Sequence, residues 1–214
     1  GVMFAVSRPV LYALVARAPE GTLAIAAMRV AFDFTMLFQQ AANQFRHFFV
    51  TFGLDDLATK RRFMAMVAGG ITALMLAVAL TPLGHWLLTR ALGVRGPVRD
   101  RALEVVLVMC LLPTIIVVRN YFHGILMVRE RTGGMAAGGI LRVGGIYLLA
   151  QGLALAGALD HVTAAWVLIA GFLIETATVT LGARRLGAAP DAGLATADAA
   201  AARTGAGQAP ENAA

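Results

Sequence analysis

Long apolar runs recur along this chain, each closed by a short polar or basic break. A helix needs about 20 such residues to cross the hydrocarbon core of a bilayer. The runs are Val2 to Ala18, Leu23 to about Phe52, Phe63 to Leu88, Ala102 to Val128, Met135 to Leu159 and Val162 to Leu181. Pro19-Glu20-Gly21-Thr22, the basic Arg90–Arg101 connection and Asp160-His161 supply the clearest breaks; Thr22 is a candidate helix cap. Backbone groups in lipid must pair within the protein, which leaves helices or a closed barrel. A barrel would show segments of about ten residues with alternating polarity, and these runs are longer and continuously apolar. The reading is therefore an all-α membrane protein, a six-transmembrane-helix bundle with helices at about 1–18, 23–52, 60–90, 99–129, 133–159 and 161–185. They form one lobe over 1–186. The Ala/Gly-rich stretch 187–214 lacks large apolar residues and is expected to be a disordered tail. Pro113 is expected to kink the fourth helix. The first run is short and holds Arg8, as a helix missing its front would be, so further chain upstream is expected.

Composition supports the bilayer as solvent. Of 214 residues 59% are hydrophobic and 14% charged, against about 25% charged in soluble domains. The net charge is +6, but the basic residues sit at run ends rather than in a long basic segment, which speaks for lipid and cytoplasmic loops and against nucleic acid. If the tail is cytoplasmic, Lys60-Arg61-Arg62, Arg129, Arg131 and Arg184-Arg185 share its side; Arg17, Arg90, Arg95, Arg99 and Arg101 fall opposite. The expected location is a cell (inner) membrane, multi-pass. The single cysteine, Cys110, rules out an intrachain disulfide and reads as a small buried residue. No phosphate loop, H-E-x-x-H or G-x-S-x-G motif is present. The expectation is thus a protein without cofactor or metal site that is not an enzyme.

Function is expected where polar residues interrupt the apolar runs, because an ionisable residue at the centre of a spanning helix costs roughly 2.5–3.5 kcal/mol on insertion scales. In the second helix Arg29, Asp33, Gln40, Asn43, Gln44 and His47 share one helical face, opposite Ile25, Phe32, Met36 and Phe45. The stripe is expected to line a cavity, although Arg29 and Asp33 alone read equally well as an i, i+4 pair. Arg46 near the helix end is a second basic candidate, or a snorkelling residue. Arg119, Asn120 and His123 follow Pro113 in the fourth helix. His123 has no second histidine or cysteine at ligand spacing, which argues against a metal. Arg142 lies among the glycine pairs 138–139 and 144–145 of the fifth helix, pairs that suit close helix approach. Glu175 in the sixth helix is expected to partner an arginine such as Arg142 or Arg119, with a proton or cation site as the alternative.

Several strings together resemble a known family. Ser7-Arg8-Pro9, Leu112-Pro113, Val118-Arg119, Gly124, Arg129-Glu130-Arg131-Thr132, Leu141-Arg142-Val143 and Gly171-Phe172 with Glu175 look, in order and spacing, like the C-terminal half of the progressive ankylosis (ANK) transporters. These are similar in turn to the multidrug and toxic compound extrusion (MATE) and polysaccharide flippase superfamily. The resemblance covers about Ser7 to Arg185. It implies one lobe of a MATE-like twelve-helix transporter, partnered by an N-terminal six-helix lobe of the same protein. It also implies alternating access and export of a small anionic solute such as pyrophosphate, ATP or citrate. Arg8, Arg46, Arg119, Arg142 and Glu175 match the family pattern; Arg29 and Asp33 do not. Independently, the embedded charges are mostly arginines, whose planar fork suits phosphate and carboxylate. A lipid-linked pyrophosphate or polysaccharide flippase, a drug or cation antiporter and a non-transporting assembly subunit remain as alternatives.

Overall fold

The structure, a computed structural model, describes residues 2–130 and 133–188. Eight helices follow one another: α1 (Val2–Val15), α2 (Gly21–Phe52), α3 (Leu57–Leu80), α4 (Pro82–Arg90), α5 (Pro97–Met109), α6 (Leu112–Val128), α7 (Gly133–Leu155) and α8 (His161–Ala188). Every regular element among the described residues is a helix. Five segments are long and apolar enough to cross a bilayer: α2, α3, α5 with α6, α7 and α8. The chain is an all-helical, multi-pass membrane protein by this measure. Helix α1, at 14 residues, is not among these five.

Two of the expected runs are broken in ways that proline chemistry explains. The run over 60–90 is two helices, parted at Thr81. Pro82 has no amide hydrogen to continue α3 and instead opens α4, while the Thr81 hydroxyl accepts from the Leu83 amide at 3.3 Å. The run over 99–129 is parted at Cys110 and Leu111, and Pro113 lies in the first turn of α6. A proline ring displaces the carbonyl four residues earlier, here that of Met109, so the interruption falls before Pro113 rather than at it. At its other end α8 carries on to Ala188, two residues into the expected tail; residues 189–214 lie outside the described region, as do Arg131 and Thr132.

Helix α8 packs along α7, α6 and α5, while α2 lies against α5 and α6, and α1 against α7. The core between them is apolar, with Phe32, Phe49, Phe172, Met28, Met109 and Ile116 all but fully buried. Outward, α3 and α7 present large apolar side chains: Met66, Leu74, Leu80, Ile140, Leu148 and Leu155 are each at least half exposed. So many exposed large apolar side chains are unfavourable in water and ordinary in lipid.

Cross-helix pairs fix which helix ends lie together. At one end Arg101 pairs with Glu20, His85 with Asp100 at 3.7 Å and His161 with Glu104 at 2.6 Å. At the other, Lys60 donates to the Phe52 and Gly53 carbonyls at the close of α2. There Leu126, Val179 and Ala183 form a small apolar cluster with Phe122 and Met135, which brings the α6 and α8 C-termini to the start of α7. Arg129, Arg184 and Arg185 therefore share an end with Lys60, Arg61 and Arg62.

Candidate functional site

Six of the residues that the sequence singles out meet at one buried point between α2, α6, α7 and α8. Glu175 is the centre. Its Oε2 accepts from Arg142 Nη1 at 2.7 Å and from Arg119 Nη1 at 3.2 Å, while its Oε1 faces His123 Nε2 at 3.9 Å. Arg119 Nη2 also donates to Asn43 Oδ1 at 3.3 Å and to Asn120 Oδ1 at 3.4 Å. Asn120 in turn donates to the Ala42 carbonyl at 2.8 Å, holding α6 to α2. Arg119, Asn120, His123, Arg142 and Glu175 are all buried, and Asn43 is half-buried. Glu175 thus pairs with both arginines that the sequence offers it, not with one.

Small residues make room for this network. A side chain on Gly138 would meet Val179 at 3.2 Å and Glu175 at 3.4 Å, and one on Gly171 would meet Ile146 at 2.4 Å and Arg142 at 3.2 Å. Close approach of α7 and α8 at these two glycines lets a 2.7 Å ion pair form across the seam. Phe172 lies beneath both guanidiniums, its ring centre 5.0 Å from Arg142 and 5.3 Å from Arg119. Each contact has cation–π geometry, worth more out of water than in it.

The remaining sites on α2 look the other way. Arg29, Asp33, Gln40, Gln44 and His47 are exposed along one side of α2, so Arg29 and Gln40 do not share a concave face with Asn43 and Arg119. The carboxylate of Asp33 takes a 3.2 Å bond from Arg8 of α1. Arg8 also donates to the Phe32 carbonyl at 3.3 Å and stacks over the Phe32 ring at 5.2 Å. The side chain of Arg46 lies outside the described residues.

A second polar locus brings Ser7 and Arg8 together with Thr35 and Gln39, two residues that the sequence reading does not single out. Ser7, Thr35 and Gln39 are buried beside Arg8 around a void of about 10 Å³, with Phe172 on its far wall. That is room for about one water molecule, and polar side chains surround it. Thr35, Gln39 and Asn43 follow an i, i+4, i+8 spacing, which was the available signal for an inward polar edge. It is masked because Gln39 stands next to Gln40, and the pair divides between the two sides of α2.

Chemically, the buried network sets two fixed cations against one carboxylate, with a histidine beside the carboxylate oxygen that the arginines leave. With two cations to one carboxylate, such a site favours an additional anion over a cation. Comparison with protein families, curated proteins and solved structures gave no match.

Proposed function

We propose that the chain is one lobe of a MATE-like secondary transporter that exports small organic or phosphate anions by alternating access, with the outer side of α2 lining the path. One observation carries the reading: a spanning helix exposes two polar groups on one side, Arg29 with Asp33 and Gln40 with Gln44 and His47. From Arg29 to His47 the stripe runs about 27 Å at about 1.5 Å per residue, most of the hydrocarbon thickness. Facing lipid, each charged residue in it would cost roughly 2.5–3.5 kcal/mol, so the stripe favours water or a second polar body. In the reading suggested by the progressive ankylosis resemblance that body is the N-terminal six-helix lobe, and the space between the lobes is the solute path.

The geometry supports separate roles for the arginines. Arg29, exposed on the stripe, is suited to touch an incoming phosphate or carboxylate directly. Arg119 and Arg142, engaged by Glu175, are suited to hold the lobe in shape and to bias the potential at the path. The test is flux of labelled pyrophosphate, ATP and citrate in proteoliposomes holding the complete two-lobe protein that this reading requires. Arg29→Gln is expected to lower flux of the transported anion at least tenfold at unchanged protein level, as loss of a charge-assisted contact worth about 1.5–3 kcal/mol implies. No flux of any of the three above empty vesicles would remove this substrate class.

A non-transporting assembly subunit is the second reading. It is favoured by Leu37, 71% exposed in the middle of the stripe, which suits a dry protein contact better than a water-filled path.

A further inference from the structure

On the opposite side of α6 from the buried network lies a groove of about 320 Å³ between α3 and α6. We propose that this groove is a binding site for one anionic phospholipid, its acyl chain between the helices and its phosphate on Arg61.

The walls are Met64, Ala68, Val117, Val118, Tyr121 and Phe122, and Gly69 leaves the α3 side open. The two helices run antiparallel here, and at the end away from Arg61 Thr72 and Thr114 approach across the seam with hydroxyl oxygens 3.4 Å apart. From Arg61 to Gly69 the groove is about 12 Å long at about 1.5 Å rise per residue. A helix with side chains is about 10–12 Å wide, so the same length of it would fill about 1,000 Å³ and overflow the groove; a single hydrocarbon chain is far slimmer.

Charge identifies the head of the occupant. The apolar walls carry one cation, Arg61, at the mouth. It stands at the end of the bundle that also holds Arg62, Arg129, Arg184 and Arg185, where headgroups lie. Asp55 and Asp56 are the nearby carboxylates in sequence, and Asp56 is committed to capping α3 through the Thr59 amide at 3.2 Å. Lys60 is committed to the α2 carbonyls. Arg61 is exposed, and the start of α3 adds the positive end of a helix dipole beside it. A guanidinium at interface depth, beside an apolar slot between two helices, matches a phosphodiester with its acyl tail.

The two adjoining glycines give a clean test, because a side chain added at either Gly69 or Gly70 meets nothing within 4 Å, yet only Gly69 lines the groove. The delipidated full chain is titrated with dioleoyl phosphatidylglycerol or dioleoyl phosphatidylcholine and retained lipid is counted by native mass spectrometry. The wild type is expected to hold one phosphatidylglycerol, about fivefold more readily than phosphatidylcholine, the weight of one basic residue at a headgroup. Arg61→Gln should remove that preference, and Gly69→Leu should lower retention of both lipids. Arg62→Gln and Gly70→Leu should match wild type. Equal retention of the two lipids by wild type, or undiminished phosphatidylglycerol on Arg61→Gln or Gly69→Leu, overturns the proposal. A chain dimer that Gly69→Leu abolishes also overturns it, since the groove is then a contact between copies.

Discussion

Glu175→Gln isolates the electrostatic part of the buried network, because glutamine keeps the shape and one acceptor oxygen while removing the charge. In the wild type the carboxylate stands against Arg142 at 2.7 Å and Arg119 at 3.2 Å, with all three groups buried. With charge centres about 4 Å apart and an effective dielectric of about 20, each attraction is about 4 kcal/mol. Desolvation of the ions offsets much of that sum, and breaking a buried pair costs about 3–5 kcal/mol net. The variant leaves two guanidiniums beside each other with no compensating anion, so the loss should fall in that range. The assay is equilibrium unfolding in mixed micelles, titrated with dodecyl sulfate and followed by circular dichroism. Adding Arg142→Met restores the wild-type charge balance, so the double variant should be more stable than the sum of the single losses by at least about 1.5 kcal/mol. A Glu175→Gln loss below about 1 kcal/mol, or strict additivity in the cycle, would refute the claim that charge pairing holds this point together.

Two further outcomes test the packing and a cap. A methyl group on Gly124 would lie 2.3 Å from the ring of Phe49, which is fully buried. Gly124→Ala should therefore cost about 1–3 kcal/mol in the same unfolding assay, and Phe49→Leu in the same chain should recover part of it. At the start of α8, Asp160 accepts from the Thr163 amide at 2.7 Å. Burial by itself raises this carboxyl, but the hydrogen bonds from Thr163 outweigh it and hold its pKa below the ordinary value. A lowered folded pKa gives stability that is complete above the unfolded value of about 3.9 and lost as pH falls through the folded one. Asp160→Ala should cost about 1 kcal/mol near pH 7, and the gap to wild type should close below about pH 4 in melting curves. A gap that persists unchanged at low pH would mean that the charged cap contributes nothing.

Periodicity made the spanning helices legible because lipid leaves so few alternatives for an apolar run. The breaks were harder to place. Pro113 marks a helix start because its ring acts on the carbonyl of Met109, one turn earlier, and Pro82 opens α4 directly after Thr81. Residue type alone identified Arg119, Arg142 and Glu175, since three ionisable groups in apolar runs must find each other or water. Their mutual geometry was not legible, because it depends on Gly138 and Gly171 bringing α7 and α8 close. On α2 five of the six stripe residues stand exposed, while Asn43 turns inward. Asn43 stands at the edge of the polar side, turned back by about 60° from Gln40 at about 100° per residue, and that rotation is enough to send one residue to Arg119 and leave the other exposed.

Helix α2 therefore joins two polar systems that face opposite ways. Asn43 and the Ala42 carbonyl tie its inner edge to α6, and Arg119 carries the tie on to Glu175 of α8 and thence to Arg142 of α7. An apolar patch of equal volume would pack these four helices, but in lipid it would fix neither their rotation nor their register, because one apolar face slides on another with little penalty. A carboxylate shared by two guanidiniums has a single satisfactory arrangement. On this argument the buried network sets the rotation of α2, and so decides which of its residues stand on the exposed stripe. Substitutions at Glu175 or Arg119 should then disturb the outer side of α2 without touching it, whereas Arg29 and Gln40 act only where they stand.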